Sequence, residues 1–153
     1  MKKIACLSIV LFMACSSHKS DVNDILKVDQ QFSAMCKEKG MVEAFTYFAA
    51  DDVIKMQPQE FPIMNKVELK RMFKEHSVDG VLKFGWEPVK ADISISGDLG
   101  YTFGNWKILV VGDPIMHDTI FYGNYVSIWK KKPNGDWKYV LDGGNATPDQ
   151  GTW

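Results

Sequence analysis

Cysteine and histidine are scarce in this 153-residue chain, with three of each. Cys6 and Cys15 fall at the extreme N-terminus, so Cys36 stands alone in the body of the chain and no disulfide can form within it. His18, His76 and His117 are never at ligand spacing, and no cysteine pair accompanies them, which argues against a zinc site. The chain has no Gly-rich phosphate loop and no Gly-x-Ser-x-Gly elbow, so neither nucleotide binding nor nucleophilic hydrolase chemistry has support. Excess charge is missing too. Eighteen basic against 19 acidic residues give a net charge of −1, and no electrostatic reason to bind nucleic acid. Repeats and low-complexity tracts are absent, and the length suits one domain.

What is present begins at the N-terminus. Lys2 and Lys3 precede a mainly apolar run, Ile4 to Met13, and then Ala14-Cys15. The run is too short to cross a bilayer about 30 Å thick. A positive start, a short apolar stretch and a small residue before the cut make a cleaved signal. With Cys15 next, the segment resembles a bacterial lipoprotein signal peptide, with Phe12 where the usual pattern has Leu. The resemblance implies that residues 1–14 are removed and that Cys15 becomes the acylated membrane attachment. Several acyl chains anchor stably where one does not. Ser16 after the cysteine, with no acidic residue, implies an outer-membrane destination facing the periplasm. Residues 15–20 read as a short polar tether.

From Asp21 the pattern is helical. Val22, Ile25, Leu26, Phe32, Met35 and Cys36 share one face, Ser20 or Asp21 can cap the start, and Gly40 can end the helix in the left-handed conformation. Cys36 reads as a small buried hydrophobe on that helix. A second helix is expected over 41–48, broken by Asp51-Asp52, whose diverging carboxylates suit a loop or cap. Residues 53–56 read as a short strand and 57–64 as a proline-containing loop. Asn65, with Glu68 three residues on, starts a third helix whose apolar side is Val67, Leu69, Met72 and Phe73. The period then changes to two. Strands are expected over 82–96, interrupted at Pro88, and over 99–111 and 119–131. Asn134-Gly135 makes a hairpin, and a last strand, 137–141, is ended by Gly143-Gly144. Helices first and strands afterwards predict an α+β fold with the helices on one face of an antiparallel sheet. Bulges at Pro88 and Gly104 would curve that sheet and leave a cavity at its open end.

Several segments carry a family likeness. They are Ala50-Asp51-Asp52-Val53, the hairpin Ser96 to Gly104, Gly123-Asn124-Tyr125 through Trp129-Lys130-Lys131, then Asn134 to Lys138, and Asp142. This pattern resembles the nuclear transport factor 2-like superfamily and, within it, the SnoaL-like domains, over residues 21–145. Residues 146–153 remain as a C-terminal tail. The resemblance implies a cone-shaped fold with helices on a strongly curved, mainly antiparallel sheet, and commonly a homodimer. It implies little about activity, because one scaffold hosts many functions. In the ketosteroid isomerases of the superfamily, a catalytic Asp precedes a proline; here that position is Gln57, which cannot abstract a proton. Their helix-borne tyrosine donor corresponds to Phe32, which has no hydroxyl. Steroid isomerisation by that route is therefore not expected.

The candidate site follows from the same reading. Strand alternation puts Asp142 on a face with Lys138 and Val140, opposite Trp137, Tyr139 and Leu141. The resemblance implies that the Val140–Asp142 face lines the cavity, where Asp142 could be the acid or base, with Tyr125 as hydrogen-bond donor. The other reading of Asp142 is a structural carboxylate that caps a loop or pairs with a lysine. Met56, Trp106, Asn124 and Val140 are the expected ligand-binding residues. His117 reads as an exposed loop histidine. The expected ligand is a small, largely apolar molecule, bound without a cofactor or metal. Any chemistry would be proton transfer of the isomerase, cyclase or dehydratase type. The other class is a non-catalytic interaction module, docking through an aromatic outer sheet face.

Overall fold

In the computed structural model, residues 21–76, 82–112 and 119–151 are described. Cys15, the tether and His117 lie outside them. Three helices, α1 (Val22–Lys39), α2 (Met41–Phe48) and α3 (Lys66–Glu75), accompany five strands. These are β1 (Ala49–Lys55), β2 (Leu82–Ile93), β3 (Leu99–Val110), β4 (Ile120–Lys131) and β5 (Trp137–Thr147). The sheet order is β1-β5-β4-β3-β2. Only β1 and β5 pair in parallel; the other pairs are antiparallel. The result is the α+β architecture expected, a curled sheet wrapped over its helices. None of the helices described is long and apolar enough to cross a membrane.

Local chemistry sets the helix ends. The Asp21 side chain accepts from Asn23 N while Asp24 returns a bond to the Asp21 backbone, a full capping box. Gly40 ends α1 at φ 85° and ψ 168°. The φ is positive as expected, but the ψ is extended rather than left-handed helical, a combination open essentially to glycine. It lets α2 start at once. Asn65 caps α3 by accepting from Glu68 N at 2.9 Å, whereas the Glu68 carboxylate turns to Arg71. Leu69 and Phe73 bury the inner side of α3; Val67, expected there, lies on the opposite side in water.

The strands depart from expectation at three places, each for a reason of register. Asp51 and Asp52 do not break the chain but sit exposed within β1, across an irregularity between Ala49 and Ile54 that lets both carboxylates reach solvent. Charge of this kind suits an edge strand, because it discourages pairing with another chain. Gly143 and Gly144 do not end β5, which runs on to Thr147 opposite β4. A Cβ on Gly144 would lie 2.0 Å from the Asn124 carbonyl oxygen, so glycine serves close approach here rather than termination. Val140 has no partner in the ladder, because Leu141 faces Ile128 while Tyr139 faces Trp129. One extra residue inverts the alternation after it. Asp142 thus shares the inner face with Trp137 and Tyr139, not with Lys138 and Val140.

The core gathers around Phe32, whose ring lies 4.6 Å from Trp86, 4.7 Å from Phe45, 5.0 Å from Phe48 and 5.4 Å from Tyr139. Tyr139 satisfies its buried hydroxyl on the Phe45 carbonyl at 2.9 Å, and Trp129 donates to Thr102 Oγ1 at 2.9 Å. The expected interruption of β2 lies at Val89, between Pro88, which pairs with Gly104, and Lys90, which pairs with Phe103. A Cβ on Gly104 would meet Glu87 O at 2.1 Å and Tyr125 Cε1 at 2.7 Å. Gly104→Ala is accordingly expected to cost about 3 kcal/mol, the upper end of overpacking penalties, in urea unfolding. A loss within experimental error would mean that the β2–β3 approach is not tight.

Candidate functional site

Between the helices and the inner face of the sheet lies a cavity of about 240 Å³. Phe32, Phe45, Phe84, Trp86, Trp106 and Tyr125 form its aromatic walls, and Met56 and Pro58 stand at the end of β1. Its polar group is an ion pair assembled from three strands. Parallel pairing sets Lys55 opposite Asp142, and antiparallel pairing sets Ser127 opposite Asp142. Lys55 Nζ approaches Asp142 Oδ1 at 2.5 Å, and Ser127 Oγ donates to Asp142 Oδ2 at 2.7 Å. The Asp142 carbonyl also accepts from Met56 N at 2.8 Å. The two charged side chains are only 20% and 8% exposed, so the pair is held out of bulk water, where charges interact strongly. Lys55 Nζ also lies 5.7 Å from the centroid of the Phe45 ring.

Behind the aromatic wall is a second buried carboxylate. Asp29 on α1 is fully buried; its Oδ1 accepts from Trp86 Nε1 at 2.7 Å and its Oδ2 from Tyr125 Oη at 2.7 Å. Burial pushes the Asp29 carboxyl above the usual carboxylate range, against the opposing pull of the Tyr125 and Trp86 hydrogen bonds. Tyr125 is held far above the ordinary phenol range, first by burial and then by the neighbouring Asp29 charge, so it stays a neutral donor. Asp29 continues the inward stripe Ile25, Asp29, Phe32, Cys36. That spacing was readable as a polar interruption of an apolar face, but its partners on distant strands were not.

Of the residues expected from sequence, Asp142, Tyr125, Met56 and Trp106 line the cavity together. Asn124 does not. Its side chain donates to Asn105 Oδ1 at 2.7 Å, and only its backbone carbonyl serves the site, by accepting from Trp106 Nε1 at 3.0 Å. Val140 is displaced by the bulge it forms and is absent from the walls. Tyr125 is a donor, as expected, but its one proton goes to Asp29. Asp142 does pair with a lysine, and it does so inside the cavity. Among the described residues, no cluster of three or more His, Cys, Asp or Glu is placed to hold a metal ion. A wider groove of about 710 Å³ lies beyond Phe84, with Lys37, Lys39, Lys83 and Lys107 along it. It is the larger hollow, but its charged groups are solvated surface lysines. The smaller cavity concentrates buried, fixed polar chemistry and is the better site.

No family model matches the chain, and no curated protein matches it. Solved structures do. One is described as a putative ketosteroid isomerase from Parabacteroides distasonis, with 14% identity over 81% of this chain and 89% of that one, TM-score 0.64. Another is a nuclear transport factor 2-like protein of unknown function from Pseudomonas putida, with 12% identity over 86% and 92%, TM-score 0.68. A third is a putative calcium/calmodulin-dependent protein kinase II association domain from Xanthomonas campestris, with 12% identity over 87% and 99%, TM-score 0.66. At such identities the likeness is one of fold, and the fold is nuclear transport factor 2-like.

The Asp29 cluster generates two expectations. Asp29→Ala strands the Trp86 and Tyr125 donors and should cost about 2–5 kcal/mol, with a smaller loss for Asp29→Asn, which keeps one acceptor. A raised folded pKa means that the folded state binds more protons than the unfolded chain between the ordinary value and the raised one. The stability difference between wild type and Asp29→Asn should therefore be most favourable to wild type below the ordinary range, and should fall as pH rises through the raised value. Chemical denaturation across pH 3–8 reads this, and a difference that is flat or rises with pH would refute it.

Proposed function

We propose that this protein is an envelope lipoprotein that binds a small, largely apolar molecule in the cone-shaped cavity of its single domain. The supporting observation is the cavity itself: aromatic walls around one buried, hydrogen-bonded ion pair. An apolar body gives a ligand its burial energy and a single fixed polar cluster orients it. Acylated Cys15 would hold the domain at the outer membrane, facing the periplasm. Where chemistry follows binding, the reading is cofactor-free proton transfer of the isomerase, cyclase or dehydratase type. Asp142 is its acid or base, and Tyr125 is a neutral phenol fixed by Asp29.

One observation favours a second role that is compatible with the first. On the sheet face turned away from the helices, Tyr101 lies opposite Ile128 and Phe103 opposite Val126, with Val126 36% exposed. An apolar stripe of this kind suits homodimerisation or docking to an envelope partner.

Native mass spectrometry of protein drawn from its host envelope is the test of binding. A stoichiometric small-molecule adduct, lost on Asp142→Ala, is expected. An unliganded dimer that is indifferent to the substitution would favour the interaction role instead. Metabolic labelling with palmitate tests the anchor: label should enter the wild-type chain and be absent from Cys15→Ala, and equal labelling of both would refute attachment at Cys15.

A further inference from the structure

We infer that the cavity selects an uncharged ligand of one or two rings bearing a hydrogen-bond acceptor such as a carbonyl, and that Lys55 is the residue that reads it. This rests on the binding role proposed above and adds the ligand class and the recognising group.

The inference starts from the side-chain donors in the wall. Trp86 Nε1 and Tyr125 Oη are both committed to Asp29, Trp106 Nε1 to the Asn124 carbonyl, and Ser127 Oγ to Asp142. Asn145 is exposed to solvent, unlike these enclosed donors, and its amide gives one of its two N–H groups to the Ala146 carbonyl at 3.2 Å. Lys55 differs because its ammonium is mostly withdrawn from water and carries three N–H groups, and Asp142 occupies one direction of approach. The remaining hydrogens belong to a cation at the cavity wall, and a hydrogen bond to a charged donor is among the stronger ones. A ligand acceptor placed there gains a partner without displacing any protein bond.

Charge excludes the other ligand classes. Lys55 and Asp142 cancel in a largely apolar enclosure. A carboxylate ligand would have to share one ammonium with Asp142 and bring two like charges together. A cationic ligand would meet Lys55 beside Asp142, the only carboxylate among the described residues of the wall. Either leaves an uncompensated charge out of water, which is costly. Volume sets the size. An apolar cavity of about 150 Å³ holds benzene, and this one measures about 240 Å³. Its flat aromatic sides at Phe84, Trp86 and Trp106 favour a flat occupant.

One bicyclic frame supplies the test: 1-indanone, indane, indane-1-carboxylate and 1-aminoindane, titrated against the full-length protein in lipid nanodiscs. Tryptophan fluorescence reads binding, since Trp86 and Trp106 line the cavity, and empty nanodiscs supply the partitioning baseline. Wild type should bind 1-indanone about tenfold more tightly than indane, with both ions weaker still. Lys55→Met combined with Asp142→Asn removes both charges together and should erase the preference for 1-indanone over indane. Asp142→Asn alone leaves Lys55 uncompensated and should switch the preference to indane-1-carboxylate. If no probe binds wild type, the binding role and this inference fail together. If probes bind but the carboxylate is preferred by wild type, or the ketone preference survives in the double variant, binding stands and the selection by Lys55 is overturned.

Discussion

Everything in this domain turns on getting one buried carboxylate satisfied. Asp29 is completely withdrawn from water on α1, and it accepts from donors on β2 and β4. Desolvation of that group is tolerable only if each donor arrives in place. The requirement fixes how α1 crosses the sheet. Four residues along the helix, Ser33 donates to the Trp86 carbonyl at 2.7 Å and accepts from Trp86 N at 3.3 Å, so β2 is held twice. Hydrophobic contact around Phe32 provides the attraction. The Asp29 cluster provides the geometry, because an apolar interface alone tolerates sliding and a set of directed bonds does not.

The cavity inherits its walls from this arrangement. Trp86 and Tyr125 present their rings to the space while their polar atoms face backwards into Asp29. The aromatic surface offered to a ligand is apolar because its polar edges are occupied elsewhere. Trp106 behaves alike, with its indole N–H tied to β4 and Gly123 leaving room beneath it; a Cβ there would lie 2.1 Å from Trp106 Cζ2. The site divides its labour accordingly. Rigid rings supply shape, and the Lys55–Asp142–Ser127 cluster supplies orientation.

Much of the fold was legible in the sequence, because its signals are local. Asp21 and Asn65 cap where their side chains allow, the period changes from helical to alternating after α3, and Asn134-Gly135 turns the last hairpin. Four of the expected site residues, Asp142, Tyr125, Met56 and Trp106, do meet in the cavity. What escaped was non-local. Val140 is an unremarkable strand residue until its lack of a partner on β4 reverses the parity after it. A glycine pair commonly ends a strand, so Gly143-Gly144 reads as a stop, whereas the real demand is close approach, of Met56 at Gly143 and of β4 at Gly144. Lys55 gave no signal because its meaning depends on a parallel pairing between the first strand and the last. Asp29 was visible only as a polar residue in an apolar stripe.

That parallel pairing has a consequence for how the molecule comes into being. Lys55 is made well before Asp142, and β5 must slot between β1 and β4 before either finds its counterpart. Contacts so distant along the chain form late and slowly. A chain made only as far as β4 can pair its β2–β3–β4 meander, yet it still leaves Lys55 without its counter-charge. The closing strand both completes the sheet and neutralises the interior of the cavity. The paired charges and the closed wall around them therefore arrive together, with β5.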